Sequence, residues 1–271
     1  MTSPPPPSKR STLEPPLWRN GFDVDGEPGG PIRLAQVNRT FFALTSVLHY
    51  RGDTGLDGRV PSATLDTIRT LDPADHPNGV FLTDLGSVPG PTRWFLGSYG
   101  EHTPAVIIHD WLIPVAQTNG LAGMTDAFAD RYLRFMLAEI GVRWLRRWIM
   151  WAAVALRTRI AAGGVKRLFV LVWLVAALAG IATFLYTATF GDVSRVTVAA
   201  GLAPAVFAGL WGRQYGAGLI AGIAAPWLLP PTVLAVIGYA IYVVLEWIAG
   251  RVLGRAGRRP AEGGTYLPEG M

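Results

Sequence analysis

The sequence has no cysteine. That excludes a disulfide framework and every thiolate metal site. Lysine is nearly missing too. Of 24 basic residues only Lys9 and Lys166 are lysines, so the other 22 are arginines. They are scattered along the chain rather than gathered into one basic stripe, so nucleic-acid binding is not expected. Residues 1–16, MTSPPPPSKRSTLEPP, hold no apolar core segment. No secretory signal is expected there, and residues 1–20 read as a proline-rich disordered tail. Charge is the third shortage. Between Leu168 and Gly250 only Asp192, Arg195, Arg213 and Glu246 are charged residues.

What is present is divided unevenly. Half of the 271 residues are hydrophobic, ten of them Trp. Residues 21–160 have the mixed composition of a soluble domain, 167–250 that of a membrane domain, and 251–271 form a basic, glycine-rich tail. A span needs ~20 apolar residues. Segment 167–190 satisfies this, as does 231–250. Segments 196–212 and 215–229 are shorter. Four spans are therefore expected, with Pro230-Pro231 breaking the chain between the last two. Arginines precede the first span and follow the last, and positive charge favours the cytoplasmic face. An even number of spans then puts both termini inside a cytoplasmic (inner) membrane. The alternative is two spans, with 196–229 re-entrant or interfacial. The expected partner is the lipid bilayer. So few charges within spans argue against a transporter. The Gly218-x-x-x-Gly222 spacing allows close helix contact and a homo-oligomer.

The soluble part is expected to be α+β: a small β element, then a three-helix unit, followed by the α-helical transmembrane bundle. "RTFFALTSVLHYRG" (39–52) reads as a strand or hairpin arm and "GVFLTDLGSVP" (79–89) as a short strand. Residues 53–80 and 89–102 read as loops. The helices are expected at 103–114, with Thr103 as cap and Pro104 first, at 125–140, ended by Gly141, and at 142–159. The third carries Trp144, Trp148 and Trp151 on one side. They suit either a headgroup layer or packing on the first two helices.

One stretch invites chemistry. In "TPAVIIHDWL" (103–112), His109 and Asp110 stand in a run whose apolar residues cover most of the helix circumference. Part of that face must be buried or line a cleft, and a buried charge needs a partner. Asp130, on the next helix, lies too deep to serve as a cap. If the helices run antiparallel, it can face His109, fix its tautomer and leave the other ring nitrogen as a base. Asp110 is then the candidate calcium ligand, with carbonyls from a loop holding Gly90, Gly97 and Gly100. The plainer reading is a buried polar network that only holds two helices in register. Asp84 and Ser87 are expected to cap the turn before Pro89.

Taken together, "FLTDLGSVPGPTRW", "TPAVIIHDWL" and "DAFADRYLRFMLAEIGVRWLRRWIMWAAVAL" resemble the phage and bacterial domain-of-unknown-function family 1353. The motif residues are Thr83, Asp84, Ser87 and Pro89; His109, Asp110, Trp111 and Leu112; and Ala129, Asp130, Gly141 and Val142. The resemblance spans about 40–158. Ile113 stands where the family usually has Tyr, and the membrane half lies outside it. The family implies no activity, but it does imply a phage or prophage origin. A more distant likeness is to two helices of phospholipases A2. It implies His109 as the base that activates water, Asp110 on calcium and Asp130 orienting His109, without that family's disulfides. Three functions follow as expectations. One is a membrane-anchored, phage- or prophage-type accessory protein in envelope association or lysis. The second is a calcium-dependent lipid or ester hydrolase. The third is a holin-like membrane protein.

Overall fold

The computed structural model describes residues 21–38, 40–52, 61–85, 100–118, 121–191 and 194–252. The two expected tails, Ser87, Pro89, Gly90 and Gly97 lie outside the described residues.

The chain opens with short strands: β1 (Phe22–Val24), β2 (Glu27–Pro28), β3 (Leu34–Gln36), β4 (Phe42–Leu44) and β5 (Leu48–Tyr50). After α1 (Ser62–Arg69) come β6 (Thr70–Leu71) and β7 (Phe81–Thr83). They form two antiparallel sheets, ordered β2-β1-β5-β6 and β3-β4-β7. Phe22 and Val24 are buried on either side of Asp23, and Leu48 and Tyr50 on either side of His49. This is the period-two pattern of a half-buried strand. Asp25-Gly26 joins β1 to β2 with φ of 52° and 80°, the two positive values a type I′ hairpin turn requires.

Two expectations need correction here. The 39–52 stretch is not one strand or one hairpin arm. Its β4 pairs with β3 and β7 while its β5 pairs with β1 and β6, so the chain changes sheets at 45–47. Nor is 53–80 all loop, for it holds α1, β6 and a 3-10 turn at Pro73–Asp75. Helix α1 buries only Thr64 and Ile68, too few anchors to impose a visible period on the sequence.

Three helices follow, α2 (Thr103–Gln117), α3 (Asp126–Glu139) and α4 (Trp144–Ala161). Every residue of α2 from Thr103 to His109 is buried, which is why its sequence is apolar on all sides. Its cap differs from expectation. The cap position is His102, without a side-chain bond, and Thr103 is already helical, its Oγ1 accepting from the Gly100 amide at 3.0 Å. Helix α3 starts as expected, with Thr125 Oγ1 accepting from the Phe128 amide. It ends before Gly141, whose φ is +83°. On α4, Trp148 and Trp151 pack inward. The Arg134 guanidinium of α3 lies 4.1 Å from one ring centre and 4.9 Å from the other. Trp144 stays exposed. Burial, then the neighbouring charges of Arg131 and Arg147, hold Arg134 below the ordinary guanidinium value.

The apolar half consists of α5 (Gly164–Phe190), α6 (Arg195–Val206), a 3-10 segment (Phe207–Gln214) and α7 (Tyr215–Val252). By length and composition, Gly164–Phe190 and the stretch Arg195–Arg251 are candidate membrane spans. An 18-residue window within each has a mean hydropathy of 2.6 and 2.1, respectively. One expected boundary is not formed. Pro226, Pro230 and Pro231 lie inside one unbroken helix, so Pro230-Pro231 does not separate two spans. Close approaches set the directions. Gly180 meets Ala200 and Ala203, Gly201 meets Phe184, and Trp173 Nε1 donates to the Pro204 carbonyl at 2.8 Å. Partner numbers fall as α5 rises, so α6 runs antiparallel to α5. Gly218 abuts Trp211 and Gly222 the Pro204 backbone, so α7 turns back again, parallel to α5. The close contact implied by Gly218-x-x-x-Gly222 is thus made within the chain.

Candidate functional site

The packing of α2 on α3 brings His109 and Asp130 together. His109 Nε2 lies 3.0 Å from Asp130 Oδ1, and their side chains are 7% and 0% exposed. Asp130 has two further partners. Thr158 of α4 donates its hydroxyl to Oδ1 at 3.1 Å, and Gln214 of the 3-10 segment donates its amide N–H to Oδ2 at 2.6 Å. Behind Gln214, Arg159 Nη1 donates to Oε1 at 3.4 Å. The Gln214 amide therefore has its donor toward a carboxylate and its acceptor toward a guanidinium. Reversing it would set like partners against each other, so the charges fix its orientation. Burial holds Arg159 below the ordinary guanidinium value, and Asp130 works against that shift. Three donors on a fully buried carboxylate offset the cost of taking it out of water.

The imidazole is also part of the wall of an open cleft of about 320 Å³. Thr83, Asp84, Asp110, Arg157 and Thr158 give it a polar side. Phe41, Leu82, Ile113, Pro114 and Val154 give it an apolar one. The cleft spans the β7 edge, α2 and the end of α4, within three residues of the start of α5. Thr83 organises its floor. Its hydroxyl donates to Asp110 Oδ2 at 2.7 Å and accepts from the Leu85 amide at 2.9 Å. The turn after β7 is therefore held by Thr83, at a residue, Leu85, with φ of +59°. Trp111 is half-buried against the main core.

With Nε2 tied to Asp130, Nδ1 is the ring nitrogen left to take a proton from water or substrate. The calcium expectation finds less. Calcium takes six to eight oxygen ligands. Among the described residues no group of three or more His, Asp or Glu is gathered to hold a metal. Asp84 and Asp110 share the cleft; of the expected loop carbonyls, that of Gly100 accepts from the Thr103 amide at 3.0 Å, and Gly90 and Gly97 lie outside the described residues. Sequence reasoning named His109, Asp110, Asp130, Thr83 and Asp84. It missed Thr158, Arg157, Arg159 and Gln214. The available signal for Gln214 was an amide alone in "GLWGRQYGAGL", a segment otherwise built for burial.

Residues 69–154 match the model of the family described as "Protein of unknown function (DUF1353)". This is the resemblance carried by the Thr-Asp, His-Asp-Trp-Leu and Ala-Asp motifs, over a shorter stretch than 40–158. No curated protein and no solved structure matches the chain.

Proposed function

We propose that this protein is a membrane-anchored hydrolase of lipid or other amphiphilic esters, with His109 as general base and Asp130 as the group that orients it. The observation that carries the reading is the 3.0 Å His109–Asp130 bond in the wall of an open cleft. A network serving only to hold helices in register has no need of a cleft. The cleft has an apolar wall, a cation in Arg157, and a position beside the first long apolar helix. That combination suits a substrate with an acyl chain and a polar head. In the reaction, His109 Nδ1 takes a proton from water as its oxygen adds to the ester carbonyl. The imidazolium then returns the proton to the leaving alcohol, giving one acid and one alcohol. Arg157, an exposed arginine in the cleft lining, supplies positive charge for the developing oxyanion. α5 and α7 anchor the chain in the cytoplasmic membrane. The phage- or prophage-type accessory role in envelope association or lysis would then be exercised through ester cleavage.

The test is release of fatty acid from phospholipid vesicles by the full chain, with His109→Gln and Asp130→Asn as controls. General-base catalysis contributes roughly 10²–10⁴-fold, so both variants should lose activity on that scale. Activity surviving in EDTA assigns the chemistry to the dyad alone. Activity lost in EDTA and restored by calcium gives Asp110 a metal role. Vesicle leakage with no released acid, unchanged in His109→Gln, would overturn the reading in favour of a holin-like pore.

A further inference from the structure

The family match ends at residue 154, yet three side chains that surround Asp130 lie beyond it: Thr158, Arg159 and Gln214. Gln214 is 84 residues from Asp130 and belongs to the apolar half. It is buried at the foot of α7, between Trp211 and Tyr215. Its bond to Asp130 is the shortest in the network and engages the carboxylate oxygen that His109 does not use. A carboxylate held at one oxygen can still rotate about its χ2, whereas one held at both has a fixed plane. That plane decides where the imidazole bonded to it must lie.

We propose that Gln214 is a positioning residue for the His109–Asp130 pair, so that the apolar half completes the site as well as anchoring it. This rests on the reading of His109 as the working base, but its test does not need turnover. Gln214 presents its amide donor to Asp130 because Arg159 holds the amide oxygen on the other side. The 3-10 segment that carries it is placed by Trp211, which packs edge-on to Trp173 of α5 at 5.1 Å between ring centres. The site geometry is therefore set in part by how α5, the 3-10 segment and α7 pack together.

The experiment is nitrogen NMR on the full chain in lipid nanodiscs, with histidine and glutamine labelled. The chain has four histidines and three glutamines, Gln36, Gln117 and Gln214, so assignment by single substitution is practical. At a pH where the ring is neutral, His109 should show one tautomer, protonated at Nε2. Gln214→Leu should convert it to a mixture, whereas Gln117→Leu, on α2 at the cleft rim, should not. In the unsubstituted protein the Gln214 side-chain amide should exchange slowly and shift in Asp130→Asn. That second measurement decides the matter even where Gln214→Leu does not fold. A single His109 tautomer in folded Gln214→Leu, or a Gln214 amide that ignores Asp130→Asn, overturns the proposal. Loss of the tautomer in a protein that hydrolyses nothing would sink the hydrolase reading and leave this one standing.

Discussion

Thr83 shows how much one hydroxyl can hold. It is buried, donates to Asp110 and accepts from the Leu85 amide, so it joins the β7 end to α2 at the floor of the cleft. Thr83→Val keeps the shape and removes both bonds. It leaves a buried amide and a carboxylate oxygen short of a partner, at about 1–3 kcal/mol. Denaturant unfolding of the full chain in detergent should show that loss, and an unchanged midpoint would mean water replaces the hydroxyl. At this scale the sequence was informative where a residue type was out of place. His109, Asp110 and Asp130 stand out in apolar or helical surroundings, and a buried charge demands a partner whatever the fold. Gln214 was harder to read, because an uncharged amide in an apolar stretch makes no such demand and its partner is 84 residues away.

Elements were legible in proportion to their length and punctuation. Helix α2 announces itself by its apolar run after Pro104, and α3 by Thr125 at its start and Gly141 at its end. The two- and three-residue strands before β4 do not, since so few residues cannot display a period. The proline pair in α7 misled for another reason. Proline removes one amide donor and crowds the preceding turn, a cost that packing or an apolar surround can override. The α6–α7 contact is where this element can be tested. A Cβ on Gly222 would stand 2.7 Å from the Pro204 carbonyl carbon, and backbone cannot yield as a side chain can. Gly222→Val should therefore destabilise the apolar half by roughly 1–3 kcal/mol. Gly238→Val, with nothing within 4 Å, should not. Thermal scans of both variants in the same detergent make the comparison, and equal melting would contradict the α6–α7 packing.

Over the whole molecule the apolar half makes three antiparallel legs: α5 outward, α6 with the 3-10 segment back, and α7 outward. At 1.5 Å per residue, α7 is about 57 Å long against ~30 Å of hydrocarbon. Its outer part, beyond Pro231, is almost wholly exposed and apolar. Were each leg to cross a bilayer, Val252 would lie on the face opposite the domain that holds the cleft, whereas an even number of crossings would put both on one face. The chain has no cysteine of its own, so Ala63→Cys and Gly250→Cys can each be labelled alone with an impermeant maleimide. Labelling from opposite faces of oriented vesicles is the expected result, and labelling from one face would restore an even count. The Gln214–Asp130 bond has one more consequence, which concerns time. A ribosome adds ~5–20 residues per second, so about 4–17 s separate the synthesis of these two residues. Until then the nascent Asp130 carboxylate lacks at least one of its three donors, and two of them until Thr158 is made. Its last side-chain donor arrives only after α5 and α6 have been synthesised.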